Sequence, residues 1–143
     1  MIKRENVPYQ GLWSLIGGKV RFSESIPQAA ERVVKDKTGI ITAFSKAHCI
    51  VDETVKEHDT ITHHFHLIFV TLRCDDTALP AATSYGEVKW VSESSIRRKS
   101  TIPSDYWLLK TKQKDQIQLH QSELLEENNE IIQSKLATDQ KHL

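Results

Sequence analysis

The chain has 143 residues, 19 basic and 19 acidic side chains, and a formal net charge of zero. That length suits one compact domain with its own core, and neutrality argues against a nucleic-acid footprint, which shows as a basic excess. The mix of 38% hydrophobic and 27% charged residues is that of a folded chain, without the roughly 18–20 apolar residues in a row that cross a membrane.

The charge is unevenly spread. Residues 1–46 carry eight basic and four acidic side chains, net +4, and residues 47–79 carry two and six, net −4. The first ten residues, MIKRENVPYQ, contain no apolar signal core. Residues 12–22 read as an extended segment interrupted by Gly17-Gly18. Four of the five glycines (Gly11, Gly17, Gly18, Gly39) fall in this front part of the chain, which marks one stretch of special backbone geometry.

A helix is predicted over residues 26–38. Ser25 is placed to cap it, Pro27 suits its first turn, and Gly39 suits the position past its end. Ile26, Ala29, Ala30, Val33 and Val34 form its apolar stripe. Residues 40–51, 60–74 and 87–92 read as strands. A short helical piece follows near 93–98, and Ser104 is placed to cap a last helix from Asp105. Cys49 and Cys74 fall in strand-like runs and read as core. Two cysteines make no disulfide framework, so the expected compartment is a reducing cytoplasm. Trp13 and Trp90 also read as core.

From about residue 110 the composition turns polar, with Ile117, Leu124 and Ile131 spaced by seven. A coiled-coil arm and a solvated helical or disordered tail both fit that spacing. The expected organisation is a domain over 1–109 and a polar tail over 110–143. In a strand, His64 and His66 share one face and His63 the other. Two same-face histidines without a third ligand make a weak zinc site, and a pocket role for one of them is the stronger reading.

From Gly18 onward the sequence resembles the Nudix box, G-x5-E-x7-R-E-U-x-E-E-x-G-U with U aliphatic. Gly18, Glu24, Arg32, Val34, Gly39 and Ile40 match it without gaps. The lead-in GLWSLIGG resembles the family's G-x-W-x-x-P-G-G, with Ile16 at the proline. The strand HHFHLIFVTL and the segment EVKWVS also stand where the family has strands. The resemblance spans residues 3–109. It implies an α/β/α sandwich around a mixed sheet, acting on a nucleoside diphosphate joined to another moiety.

The chemistry implied is attack of water on a polyanionic linkage shielded by Mg²⁺ or Mn²⁺. The matching metal positions are Gly17, Glu24 and Asp36. The implied catalytic set is Glu24, Arg32, Asp36 and Glu87. Of the three helix carboxylates of the box, the first is Val33, the second is shortened to Asp36, and the third has become Lys37. Glu31 points elsewhere around the helix and is no substitute. The order Glu31-Arg32-Val33 and the lead-in Lys3-Arg4 … Pro8-Tyr9-Gln10-Gly11-Leu12-Trp13 resemble the GDP-mannose mannosyl hydrolase branch. In that branch the matches to Arg4 and Lys19 hold phosphate. Lys37 reads either as an ammonium that pairs with phosphate directly or as a solvated lysine favoured by the dipole at the helix C-terminus.

Two functions follow as expectations: a Mg²⁺-dependent hydrolase, or a catalytically silent module that binds a nucleotide or nucleotide sugar. The expected partner is a nucleotide-type small molecule, with no nucleic acid and no membrane. The family has a sheet strand of about thirty residues' lead-in before its Lys-Arg pair, and here only two residues precede Lys3. The expectation is an unpaired sheet edge, from a truncated start or a strand supplied by a partner. A homodimer through that edge or through a helical tail is a further expectation.

Overall fold

The computed structural model describes residues 1–6, 8–75, 80, 85–111, 117–128 and 130–138. A short antiparallel ribbon pairs β1 (Ile2–Lys3) with β2 (Trp13–Ser14). Helix α1 (Ile26–Thr38) follows, then β3 (Ala43–Glu57) and β4 (Thr60–Arg73). Two 3-10 turns (Glu93–Ser95 and Arg98–Ser100) lead to helix α2 (Pro103–Lys110). Strands β5 (Gln118–Glu127) and β6 (Glu130–Thr138) complete the described chain.

The main sheet has the order β4-β3-β5-β6. β3 runs antiparallel to β4 and parallel to β5, and β5–β6 is an antiparallel hairpin. The sheet is therefore mixed, and with its two helices the fold is the α/β architecture expected from the sequence.

Local chemistry explains α1. The Ser25 side chain accepts from the Gln28 N–H, and the Gln28 side chain accepts from the Ser25 N–H, a complete capping box. Gly39 closes the helix at φ 74°, and its N–H donates to the Lys35 carbonyl. Ala29 and Val33 face inward. The inward face of β3 carries Cys49, Val51 and Val55, all buried. Leu108 of α2 packs on Cys49 and Val51, with Leu67, Phe69 and Trp107 around them.

Several expectations are corrected. Strands β5 and β6 form a hairpin where a helical or disordered tail is expected, with 112–116 and 139–143 of that tail lying outside the described residues. Its inward face carries His120, Ser122 and Leu124, all buried. Only one of these three is apolar, so the strand alternation is muted in the sequence. This hairpin pairs with β3 through a parallel β3–β5 ladder, and β4 and β6 are the outer strands of the described sheet. Residues 87–92 make no strand. Val88 forms one isolated bridge with Ile2, and Lys3 N–H and Lys89 N–H exchange bonds with the Glu87 and Met1 carbonyls. Ser104 does not cap α2, whose cap residue is Ile102. Trp90 is 60% exposed, not core. Cys49 is buried, as expected, and Cys74 is only half-buried.

Candidate functional site

The loop before α1 is tied to the helix by one arginine. Arg32 Nε donates to Glu24 Oε1 at 2.5 Å, and its Nη2 donates to Glu24 Oε2 at 2.9 Å and to the Lys19 carbonyl at 3.0 Å. Glu24 Oε2 also accepts from the Arg21 N–H at 2.9 Å. The Arg32 guanidinium, and behind it the Arg21 N–H, hold the Glu24 carboxyl down at about 2. Arg32 reaches Asp36 Oδ2 at 3.5 Å, and Arg21 stands 3.9 Å from the same oxygen. Glu24, Arg32 and Asp36 are thus brought together as the sequence predicts, with Arg21 added.

Gly18 explains its own identity here. A Cβ at that position would stand 2.7 Å from Val33 Cγ2, so backbone and valine methyls fill the space between loop and helix. Lys37, one turn on, donates from Nζ to the Gly17 carbonyl oxygen at 2.6 Å. Its ammonium also lies 5.4 Å from the centre of the Tyr85 ring. Burial, and then the Arg4 guanidinium, lower the Lys37 pKa. Arg4 itself is fixed by donating from Nε to the Pro8 carbonyl at 2.8 Å.

This donor set does not fit Mg²⁺, which asks for several free carboxylate or carbonyl oxygens. Both Glu24 oxygens are committed to Arg32, the Gly17 carbonyl already receives an ammonium, and an apolar side chain stands at position 33. Asp36 is the remaining carboxylate, and two arginines face it. Glu87 pairs with Lys89, whose hydrogen bond holds its carboxyl below the usual range. Glu31 accepts from the Phe44 N–H at 2.7 Å and so docks the start of β3. The Lys19 side chain is exposed beside this loop.

Residues 21–24 with Gln28 and Arg32 line an open depression of about 450 Å³. Phe22 stands fully exposed at its rim.

A buried polar cluster also lies beside the β1–β2 ribbon. Asp105 Oδ2 accepts from the Leu15 N–H at 2.8 Å. Burial pushes the Asp105 carboxyl up to about 6, against the opposing effects of that bond and of Arg4. Glu53, on the inward face of β3, is also raised, first by burial and also by Asp105, while a bond with Ser122 opposes it. Tyr9 is raised by burial and by Glu53. Among the described residues the Tyr9 hydroxyl and Glu53 Oε2 are buried without a hydrogen-bond partner. Glu53 was legible as an acid inside the alternation Cys49-Val51-Val55, whereas Tyr9 and Asp105 carried no spacing signal.

Comparison with known proteins identifies relatives of the chain and of its fold. Over 41 residues, 29% of the chain, it is 42% identical to the ADP-ribose pyrophosphatase of Methanocaldococcus jannaschii, a match spanning 24% of that relative's length. The solved structure of a mutator MutT protein from Bacillus halodurans superposes with a TM-score of 0.71. That superposition covers 94% of this chain and 86% of the other at 17% identity, a likeness of fold alone. Residues 1–111 match the NUDIX domain family, and over more than three quarters of its length the chain belongs to that family.

Proposed function

We propose that this chain is a NUDIX-fold module that holds a nucleoside diphosphate joined to another moiety, such as a nucleotide sugar or nucleotide pyrophosphate, without a divalent ion at the box helix. Family members generally use divalent metals such as Mg²⁺. The observation that carries the reading is the Lys37 ammonium on the Gly17 carbonyl. A cation built into the chain occupies the place where the family resemblance puts a bound one. The Arg4 guanidinium opposes the charge on Lys37, and a phosphate held by both relieves that repulsion. Lys19 and Arg21 add positive charge at the loop. Tyr9, Glu53 and Asp105 offer a donor and acceptors to an uncharged polar part of the ligand. The resemblance of Glu31-Arg32-Val33 to the GDP-mannose branch and the name of the M. jannaschii relative set the ligands to try first.

The alternative is a Mg²⁺- or Mn²⁺-dependent hydrolase in which Glu24, Asp36 and Glu87 recruit the ion. Family membership and the retained carboxylate of Asp36 favour it. Turnover of GDP-mannose, ADP-ribose and nucleoside triphosphates is measured with and without Mg²⁺, alongside calorimetric binding. Metal-independent binding with no turnover above background supports the module. Mg²⁺-dependent turnover that Asp36→Asn abolishes overturns it.

A further inference from the structure

On the sheet face opposite the Cys49–Val51 core, β4 sets His64 and His66 two residues apart, hence on one side of the strand. In the β3–β4 ladder Asp52 pairs with His66, and Thr54 pairs with His64. Asp52 is therefore directly across from one histidine and diagonal to the other, a placement that brings side chains within reach. The third ligand missing from the sequence pattern is supplied by register.

We propose that Asp52, His64 and His66 form a binding site for a borderline divalent metal ion of the Zn²⁺ or Ni²⁺ kind. One ligand atom from each of the three lies within 4.8 Å of the others. His66 Nε2 stands 3.5 Å from Asp52 Oδ1, and His64 Nε2 bonds the same oxygen. The two imidazole rings are 5.0 Å apart at 63°. A tetrahedral Zn²⁺ with nitrogen and oxygen ligands at about 2.0–2.1 Å sets those ligand atoms roughly 3.3 Å apart. The His66–Asp52 separation already has that size, and small side-chain rotations bring His64 to the same spacing.

Two imidazoles and one carboxylate suit zinc, nickel or cobalt and disfavour Mg²⁺, which prefers an all-oxygen shell. Three protein ligands leave a position for water or another donor. Both histidines are more than half exposed and Asp52 is a third exposed, so an ion can reach them from solvent. The stretch 47–79, net −4, supplies an attractive field for a cation. The ligands sit on paired strands, which hold their spacing better than a loop does.

The test uses the full, tag-free chain titrated with Zn²⁺ by calorimetry and with Co²⁺ by visible absorption. The expected result is one ion per chain, with a tetrahedral-type Co²⁺ spectrum. Asp52→Asn and His66→Asn each weaken binding by about tenfold or more, because even an outer-shell partner costs that much. His63→Asn, on the opposite face, leaves affinity unchanged. Binding weakens in acid, since an imidazole must give up its proton to bind. Unfolding midpoints of the metal-free variants are compared to exclude misfolding. No stoichiometric uptake, leaving an Asp–His ion pair only, overturns the proposal. Uptake that persists in Asp52→Asn and His66→Asn and falls in His63→Asn also overturns it.

Discussion

The ammonium of Lys37 stands 2.6 Å from the carbonyl oxygen of Gly17, joining the last turn of α1 to the glycine loop ahead of it. A lysine near a helix C-terminus is favoured by the dipole wherever it points. Here it points back across the helix face to the loop, so its charge is used locally.

Reversing that charge reverses the preference of the site. Lys37→Glu is expected to raise Mg²⁺ affinity by about tenfold or more, a step of 1.4 kcal/mol, because a carboxylate then joins Asp36 and the Gly17 carbonyl. The same substitution weakens binding of ADP-ribose in the absence of metal. Titration calorimetry with Mg²⁺ alone checks the first effect, and an unchanged affinity would mean that position 37 does not face the loop carbonyl in solution.

The Glu24–Arg32 pair predicts an acid-sensitive loop. The folded Glu24 carboxyl titrates at about 2 against an ordinary 4.5. A depressed value means that the ionised form stabilises the fold at every pH above 4.5, and that this contribution fades as pH falls toward 2. Glu24→Gln is expected to lower the unfolding midpoint at pH 7. The gap between variant and parent closes progressively between pH 4.5 and pH 2. Midpoints recorded across that range decide the matter, and a gap independent of pH contradicts the assignment.

Asp105 predicts the opposite slope. Its carboxyl is raised from 3.8 to about 6, so the ionised form costs the folded state stability above pH 6, and the cost disappears as pH falls through 6 toward 3.8. Asp105→Asn removes that charge and keeps an oxygen for the Leu15 N–H. The variant is expected to be more stable than the parent at pH 8, by up to about 3 kcal/mol at 1.36 per unit, and to show no such gain at pH 4. Urea unfolding at the two pH values measures the difference.

The β5–β6 hairpin predicts a dependence of the domain on its late strands. Leu124 is 5% exposed in the sheet interior, and Leu124→Ala is expected to cost about 2–5 kcal/mol. Removing residues 112–143 exposes the β3 edge along its whole paired length. The shortened chain is expected to self-associate or lose its structure, visible as a larger mass in light scattering or a lost unfolding transition. A monomer with parental stability contradicts this.

Much of the fold is legible in the residues themselves. Helix α1 spans the predicted 26–38 because its punctuation is local: Ser25, Pro27 and Gly39 each act within one turn. β4 begins at the predicted Thr60 and ends one residue short of Cys74, carried by a run of β-branched and aromatic residues. β3 extends six residues past the predicted end to Glu57, because its later alternation places Glu53 inward among valines. β5 was not legible, since two of its three described inward residues are polar and find partners in Ser122–Glu53 and His120–Trp107 contacts. At the site, Glu24, Arg32 and Asp36 were picked out by the resemblance to the Nudix box, and their side chains meet in the structure. Asp52, by contrast, becomes a neighbour of His64 and His66 only through a strand register that no local pattern encodes.

The parallel ladder between β3 and β5 also bears on how the protein acquires its shape. Cys49 and Gln118, the first partners of that ladder, are separated by all of β4 and α2. A nascent chain on the ribosome can therefore form the β3–β4 hairpin at once, yet one side of β3 stays bare until β5 emerges. Closing so long a loop makes the β5 docking step slow relative to hairpin formation. During that interval the bare side of β3 is a template for a neighbouring strand.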